Sequence, residues 1–530
     1  MIYTFMNFNY KKYLIYLIIL LFIFITVFSS FKKSSTFDET HYLALGKGII
    51  KKHSFQLGSA KLHPPLFFYI SSIPFYFVNI PDFIYDIENP IKRGQQIIFL
   101  FPKDIAIRLA RLPSIVIAVF LILIFYKWAN ELYGINTAII LSLFLALSPN
   151  IIAHSRLATP DIYLTFGFFT TTYYLWKMLT TKKNIYIFWF SIFAAFTSLV
   201  KYNGLFVIFT SMLIILYYAY KERNFGFAFK SLFILIFILF ISFFASYQFH
   251  YGNISLHKKS IFPTGGFVDF TTSIKTPFPE YFEGIIFQKK ITKSISFYLN
   301  GKFSKNGWFS YYVFAFFYKT PLIYIFLLIT SKIIFLKYKS PIGFIFITIP
   351  PFLFFIAMSL LRINIGLRYI LPCYPFMFIF FGIIWKNLKP LPLKKLISII
   401  SIMYIILINI YIFPHYLAFF NVLSGGPKNG YKHLIDSNID WGQDLKSLAD
   451  YLKKNNIKKI NLSYFGTAPP EYYGIKYNLL DPYKKQKGVC AISVTFYQGG
   501  YLMHKNMYNW LKKEKPISNI GYSILIFKVK

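Results

Sequence analysis

The sequence predicts a polytopic, all-α membrane protein with about eleven transmembrane helices and a small α/β domain at its C-terminal end. Of the 530 residues, 56% are hydrophobic and only 14% are charged, which is more apolar side chain than one soluble core of this length needs. The apolar residues also stand in runs close to the roughly 20 residues that a helix needs to cross a bilayer. The predicted spans lie near residues 13–30, 112–127, 136–152, 161–177, 185–200, 204–220, 230–247, 309–330, 341–359, 369–386 and 396–413.

The basic residues set the expected orientation. The formal net charge is +38, from 57 Lys and Arg against 19 Asp and Glu. Most of these cations stand in short clusters between the apolar runs, so the expected partners are anionic membrane lipids and not nucleic acid. Placing the clusters at 182–183, 221–223, 332–339 and 386–395 in the cytoplasm places the N-terminus there as well. We therefore expect a multi-pass protein of the cell membrane with an extracytoplasmic C-terminal domain.

Two apolar runs differ from an ordinary transmembrane span in length or position. The run at 13–30 is longer than the apolar core of a signal peptide, and no small-residue cleavage site follows it, so we expect a retained first span. The run at 65–78, PLFFYISSIPFYFV, is short and interrupted by Pro74. Either it spans the membrane or it lies on the surface, and only the surface placement keeps the basic clusters in the cytoplasm.

The predicted domain division falls after the last span. Residues 1–415 form the transmembrane domain, with outer loops at 31–111 and 248–308, and residues 416–530 form the extracytoplasmic domain. In the latter, polar helix-like stretches (WGQDLKSLADYLKK, MHKNMYNWLKK) alternate with strand-like ones (IKKINLSYF, VCAISVTFY, YSILIFKV). This mixture is typical of a small α/β domain.

Charged residues at the outer edge of the predicted spans are the candidates for chemistry, because burying a charge near a bilayer is costly unless something pairs with it. Carboxylates can take a proton from a hydroxyl nucleophile, and Lys and Arg can stabilise a phosphate leaving group. If these residues share one cavity, that cavity suits glycosyl transfer from a lipid-phosphate sugar. The edge residues are Asp38, Glu39, His41, His63, Arg156, Asp161, Lys201, Arg362, Arg368 and His415.

Most of these residues also admit a purely structural interpretation. Thr36 and Glu39 fit a capping box, so from spacing alone the start of a helix is the favoured explanation for Glu39, whereas Asp38 stays open between the two. Lys201 and Arg368 fit snorkelling side chains at span ends. His63 fits a solvated loop histidine before two prolines, and Arg156 with Asp161 fits an interfacial ion pair.

Seven motifs, in order along the chain, resemble one family. They are FDETHY, HPPL, ARLPS, SRLATPD, KYNGL, GWFSYYVFAFFYKTPL and GLRYILPCYPF. Together they resemble the C-type (GT-C) membrane glycosyltransferases, in the branch of the protein O-mannosyltransferases and aminoarabinose transferases (glycosyltransferase family 39). The segment FPHYLAFFNVLSGGPKNGYKHLIDSNIDWGQDLKSLADYL resembles a bacterial subgroup of that branch.

The resemblance implies a GT-C fold and an inverting transfer of a sugar from a polyprenyl-phosphate donor to a protein, lipid or glycan acceptor on the extracytoplasmic side. It implies roles for matching residues: Asp38 as catalytic base with Glu39 in support, Lys201, Arg368 and His63 at the donor phosphate, and Asp161, Arg156 and His41 along the cavity. No cofactor is expected. A divalent ion between His63 and a carboxylate is compatible with the sequence but not required by it.

Two other classes of protein fit the composition. A transporter or flippase for a lipid-linked sugar also has many spans and intramembrane charges, but it predicts polar groups at mid-membrane and two related halves. A non-catalytic assembly subunit with the same fold would use the carboxylates only as structural caps.

Overall fold

The computed structural model describes residues 13–256, 270–338, 343–499 and 507–530. Lys339 of the third basic cluster and the first two residues of the span predicted at 341–359 lie outside this part of the chain. All eleven predicted spans coincide with helical segments.

Seven helices in the described ranges are long and apolar enough to cross a membrane, and nine do so if each of two bent pairs counts as one span. The two remaining predicted spans are helical but fall outside this set. One of them, Asn184–Val200, has only 17 residues, and the other, Asp161–Thr181, is rich in Thr and Tyr. The protein is thus a multi-pass membrane protein. The seven are Leu14–Phe31, Pro102–Tyr133, Tyr202–Glu222, Phe225–Ser246, Phe344–Leu361, Leu367–Asn387 and Leu391–Ile412.

Two of the predicted spans are bent and not straight. The region 136–152 divides into Ile135–Ala146 and Pro149–Ser155, which meet at 63°. The region 309–330 divides into Tyr311–Lys319 and Leu322–Lys337, which meet at 114°. Pro149 and Pro321 explain both breaks, because proline disfavours helical backbone at the residue before it and lacks an N–H to continue the helix.

The loop after the first span, 31–111, is built from short helices. Residues 65–78 form a seven-residue helix, Pro65–Ser71, and a 3-10 turn, Ile73–Phe77, so this run is too short to span a bilayer. The spanning alternative is therefore excluded. The loop's other helices are Phe37–Tyr42, Leu45–Lys52, Gly58–Lys61, Asp82–Asp86 and Pro90–Leu100.

The C-terminal region contains a five-stranded sheet with strand order β6-β5-β7-β9-β8. β5 pairs in parallel with β6 and β7, whereas β9 pairs antiparallel with β7 and β8. An amphipathic helix, Leu445–Lys454, packs its leucines on this sheet. The α/β prediction is confirmed, although MHKNMYNWLKK is helical only at Asn509–Lys512 among the described residues. The strands are β5 (Ile460–Ser463), β6 (Tyr477–Leu479), β7 (Gly488–Ser493), β8 (Ser518–Ile520) and β9 (Ile524–Val529).

Two two-stranded sheets lie in the second outer loop, on either side of the helix Pro279–Ser294. They consist of β1 (Tyr251–Leu256) with β2 (Phe270–Pro277), and of β3 (Phe297–Leu299) with β4 (Lys302–Ser304).

One buried core joins the membrane helices to the C-terminal region. Helix Asp161–Thr181 runs through its centre, with sixteen of its 21 residues buried. Leu434, Ile439 and Trp441 belong to the same buried cluster as Phe144 and Phe168 of the membrane helices. The segment that precedes the sheet is therefore packed against the ends of the spans, which brings it to the charged residues described next.

Candidate active site

The helix Phe37–Tyr42 begins with a capping box. Thr36 precedes the helix, and its backbone N–H donates to Glu39 Oε2 at 2.8 Å. The Thr36 side chain caps the third helical residue in return. This reciprocal pair satisfies two N–H groups at the helix start. The capping-box interpretation of Glu39 is therefore confirmed, and it fixes the direction in which the neighbouring Asp38 points.

Glu39 also anchors the helix to two other motifs. Arg111, in ARLPS, donates from Nε and Nη2 to the two carboxylate oxygens of Glu39, at 2.7 Å each. The backbone N–H of Ala158, in SRLATPD, donates to Glu39 Oε1 at 2.8 Å. Burial alone raises the pKa of Glu39, but Arg111 overcomes this and holds it below its usual value. Glu39 is 1% exposed, so its observed contacts are structural and its catalytic role stays a prediction.

Asp38 belongs to a separate line of four charges. Arg368 Nη1 lies 3.3 Å from Asp38 Oδ2 and 3.7 Å from Asp161 Oδ2. Lys201 Nζ lies 2.7 Å from Asp161 Oδ1. The side chain of Asp38 is 21% exposed, while those of Arg368, Lys201 and Asp161 are 8%, 4% and 0% exposed. Two carboxylates and two cations balance one another, and Asp38 is the member that reaches solvent.

Local backbone features position the two cations, Lys201 and Arg368, next to each other. Lys201 stands in extended backbone between the helix Asn184–Val200 and a 3-10 turn. Gly204 closes that turn against the earlier helix, where an added Cβ would come within 2.1 Å of the Thr197 carbonyl oxygen. Arg368 lies in the 3-10 segment Leu367–Cys373. The ring of Tyr369 lies 4.4 Å from Lys201 Nζ and 5.5 Å from the Arg368 guanidinium.

Electrostatics leave Asp38 suited to act as a base. Burial raises the pKa of Asp38 above its usual value, and the nearby Arg368 limits that rise. A carboxylate with a raised pKa holds a proton more readily, while the arginine keeps a fraction ionised. Such a balance is common at functional sites.

Several buried polar atoms around this line have no hydrogen-bond partner among the described residues. They are Arg368 Nε, Asp161 Oδ2 and His63 Nδ1. His63 packs edge-on against Tyr42, and burial together with Lys201 keeps the pKa of His63 well below its usual value, so its ring is neutral. Buried polar groups are nearly always bonded, and a local excess of unbonded ones is what a polar ligand could satisfy.

The remaining predicted edge residues do not join this line. Lys33, His415 and Asp444 form a second buried cluster, in which Lys33 pairs with Asp444 and lies 2.5 Å from His415 Nδ1. Arg156 is buried over the Tyr416 ring at 5.5 Å. Burial, reinforced by Arg111, lowers the pKa of Arg156 to about 10.

His41 and Arg362 lie elsewhere again. His41 is buried with Nδ1 3.4 Å from Ser59 Oγ, and burial beside Arg93 lowers its pKa to about 4. Arg362 is exposed at the end of the helix Phe344–Leu361. Of the ten edge residues, Asp38, Asp161, Lys201 and Arg368 thus form one line of charges, and His415 belongs to a second cluster.

Two residues at the site were missed in the sequence. Trp441 places its ring 4.3 Å from the Arg368 guanidinium. Asp436 is buried near Arg368 and Asp38, and burial raises its pKa to about 7. Both lie in the segment IDSNIDWGQD, where carboxylates recur every fourth residue in a strongly basic chain. That recurrence was a signal for this segment.

An apolar groove opens beside the segment that carries Arg368. Its volume is about 630 Å³, and the 114° bend between Tyr311–Lys319 and Leu322–Lys337 separates two of its walls. Its lining includes Val313, Phe352, Ile370 and Cys373, and Ile370 stands two residues after Arg368. Within the described residues, no three His, Cys, Asp or Glu side chains are grouped closely enough to hold a metal ion.

Known proteins resemble this chain in one segment of its sequence and in its fold. Residues 97–247 match the family described as dolichyl-phosphate-mannose-protein mannosyltransferase. The crystal structure of ArnT from Cupriavidus metallidurans bound to undecaprenyl phosphate is similar over 97% of each chain, with a TM-score of 0.51 and 10% identity. The apo structure of the same protein aligns over 97% of each chain with a TM-score of 0.46 and 11% identity. A search of curated proteins gave no match.

The resemblance is confirmed to this extent: residues 97–247 match the mannosyltransferase family, and the fold is similar to that of ArnT over 97% of the chain. The structural match supports the predicted fold: a polytopic helical membrane protein with a small C-terminal sheet.

Proposed function

We propose, from the premise that this multi-pass membrane protein has a GT-C glycosyltransferase fold, that it transfers a sugar from a polyprenyl-phosphate donor to an acceptor hydroxyl on the extracytoplasmic side. The observation that carries the proposal is the line Asp38–Arg368–Asp161–Lys201, with a partly exposed carboxylate at one end and buried cations behind it. The ligand named for the ArnT structure, undecaprenyl phosphate, supports a donor of this chemical class.

In the proposed reaction, Asp38 accepts the proton of the acceptor hydroxyl as that oxygen attacks the anomeric carbon from the side opposite the phosphate. The bond between the anomeric carbon and the phosphate oxygen breaks, and the polyprenyl phosphate leaves with the bonding electrons. Arg368 and Lys201 stabilise the charge that grows on the phosphate. Asp161 holds the two cations close together, and the sugar is transferred with inversion.

The groove and the charges fit the two ends of such a donor. A polyprenyl chain needs an apolar surface that opens toward lipid, and the groove provides one next to the segment of Arg368. The phosphate would then meet Arg368 Nε, which has no partner among the described residues. His63 faces the same charges as a neutral ring, so it acts as a hydrogen-bonding group and not as a cation.

The division into a transmembrane domain, 1–415, and an extracytoplasmic domain, 416–530, is part of the proposal. We propose that the second domain covers the site and selects the acceptor. The part of this domain that precedes its sheet supports this role, since Trp441 and Asp436 both stand at Arg368. Acceptors consistent with this arrangement are a protein Ser or Thr, a lipid or a glycan.

The test is Asp38→Asn in the purified protein reconstituted in lipid. Transfer from polyprenyl-phosphate sugars, followed by mass spectrometry of acceptors, should fall by about 10²- to 10⁴-fold, the usual contribution of a general base. The thermal unfolding midpoint should stay close to that of the unmodified protein. Asp86→Asn is the matched control, because Asp86 lies in the same outer loop with its side chain 63% exposed. Undiminished transfer by Asp38→Asn would refute the mechanism.

The transporter or flippase alternative makes a different prediction for the same preparation. It requires movement of the lipid-linked sugar between leaflets without any new glycosidic bond. A product of transfer in liposomes that contain only this protein, donor and acceptor excludes it.

A further inference from the structure

Among the described residues, the ring of Trp441 is the aromatic face closest to Arg368. The guanidinium carbon lies 4.3 Å from the ring centroid, whereas Tyr369 is 5.5 Å away. Trp441 is 2% exposed, so the contact is shielded from water. Tryptophan is the strongest aromatic partner for a cation, and such contacts gain strength when desolvated.

The backbone of Trp441 contacts the helix that carries Asp38. Its carbonyl oxygen accepts a hydrogen bond from the Phe37 N–H at 2.7 Å, one residue before the proposed base. Its own N–H donates to Gln443 Oε1 at 2.7 Å, which fixes the turn. One residue thus touches the arginine through its ring and the neighbour of the aspartate through its backbone.

The turn around Trp441 is secured from both domains. Ser34 and Tyr464 donate from their hydroxyl groups to the carbonyl oxygen of Gly442. The Ser34 N–H donates to the carbonyl oxygen of Gln443 at 3.0 Å. Ser34 precedes the helix of Asp38, and Tyr464 follows β5 of the C-terminal sheet. The C-terminal domain is therefore connected through this turn to both members of the Asp38–Arg368 pair.

We propose that Trp441 is a positioning residue that holds the Arg368 guanidinium against Asp38, so that the C-terminal domain supplies part of the geometry of the active site. The inference rests on the proposed function for its catalytic consequence, but not for its structural one. Arg368 offers two Nη groups and a long flexible stem, so contact with Asp38 at 3.3 Å requires that the plane of its guanidinium be fixed. The Trp441 ring fixes that plane.

The experiment compares Trp441→Leu, which removes the aromatic face, with Trp441→Phe, which keeps a smaller one. Both retain the backbone bond to Phe37. Trp128→Leu is the matched control, because Trp128 is a fully buried tryptophan that stacks on Trp176 and meets Phe376 edge-on. Kinetics should show kcat for Trp441→Leu reduced at least about 10-fold, Trp441→Phe intermediate, and KM for donor little changed, since orientation contributes mainly in the transition state.

A second readout does not depend on transfer. Carbodiimide labels protonated carboxyl groups, and peptide mass spectrometry follows the labelling of Asp38 as pH is raised. If Arg368 moves away, the pKa of Asp38 rises, because a neighbouring positive charge lowers a carboxyl pKa. Labelling should then persist to a pH about 1 unit higher in Trp441→Leu, less in Trp441→Phe, and not in Trp128→Leu. The charged and titratable groups that face Asp38 are Arg368, Asp161, Lys201, Tyr42, Tyr369 and Asp436.

The outcomes separate the two proposals. A shift in Asp38 labelling supports the positioning role even if the unmodified protein transfers no sugar, a result that would refute only the proposed function. If Trp441→Leu loses activity and thermal stability as Trp128→Leu does, with no shift in Asp38 labelling, the positioning role is refuted. Should Trp441→Leu fail to fold, Trp441→Phe decides by the same labelling shift.

Discussion

Asp38 and Glu39 are adjacent in the chain, yet their carboxylates are held by different arginines. Asp38 lies 3.3 Å from Arg368 and keeps 21% of its side chain exposed, whereas Glu39 forms two hydrogen bonds with Arg111 and is buried. Successive residues of a helix project about 100° apart, so the two side chains contact different neighbours. The acidic motif thus combines the proposed base, Asp38, with its own anchor, Glu39.

Replacing Glu39 should therefore cost stability before it costs chemistry. In Glu39→Gln, Arg111 loses its counter-ion in a buried site, which typically costs about 3–5 kcal/mol. The thermal unfolding midpoint of the purified protein should fall sharply. Glu222→Gln is the control, because Glu222 pairs with Lys182 at 2.6 Å with its side chain 38% exposed, where a pair contributes about 0–1 kcal/mol. A stable but inactive Glu39→Gln would instead assign Glu39 a direct catalytic role.

Replacing Arg368 should change the pH dependence of transfer. The base must be ionised, so activity rises with pH through the pKa of Asp38. Burial already raises that pKa, and Arg368 opposes the rise. Without the arginine, the acidic limb of the pH–rate profile should therefore move to higher pH. We expect Arg368→Gln to lower kcat about 10²- to 10³-fold and to show this shift, with Arg368→Lys shifted less.

The exposed Arg362 supplies the control for that measurement. Arg362→Gln removes one positive charge six residues earlier in the chain, at an exposed helix end. Its pH–rate profile should match that of the unmodified protein. Equal shifts in both variants would mean that net charge, and not the Arg368–Asp38 contact, determines the pH at which activity rises.

The sequence predicted the helical membrane fold, and its ten edge residues included the four charges of this line, because both depend on local signals. Apolar runs report spans directly, and Asp38, Asp161, Lys201 and Arg368 each stand in a short motif at the end of a run. Bends at Pro149 and Pro321 were visible as prolines, but their angles depend on packing. The division of the edge residues was not predictable, because it depends on which side of each helix end faces the centre.

Trp441 shows why part of the site could not be found by motif. Its ring meets Arg368 only after the C-terminal domain folds back onto the outer loop, and nothing in the spacing of either segment reports that contact. Lys33 illustrates the same limit: it follows the first span directly, yet it pairs with Asp444 of the C-terminal region. Long-range pairing decides both positions.

Filling the apolar groove should weaken long-chain donors selectively. Val313 lines the groove and is 40% exposed, so Val313→Trp adds bulk without disturbing the core. KM for a full-length polyprenyl-phosphate sugar should rise about 10-fold or more, as expected for loss of about 1.4 kcal/mol of apolar contact. KM for a short-chain analogue should stay unchanged. Leu407→Trp, on the last span and 63% exposed, is the control. An equal rise in KM for this variant would show that the groove does not bind the donor chain.

The buried carboxyl of Asp440 should make stability fall as pH rises. Asp440 is fully buried, accepts hydrogen bonds from the Thr495 N–H and the Ser493 hydroxyl, and forms no ion pair in the described part of the chain. Burial raises its pKa to about 8, so between 3.8 and about 8 the folded state holds a proton that the unfolded state releases. Stability then decreases by about 1.4 kcal/mol per pH unit across that window. Asp440→Asn does not titrate at this position. Between about pH 5 and pH 8, its thermal unfolding midpoint should therefore increase relative to that of the unmodified protein. Asp450→Asn, at an exposed position of the helix Leu445–Lys454, is the control and should show no such relative increase. If the unfolding midpoints of all three proteins change with pH in parallel, Asp440 is ionised in the folded protein.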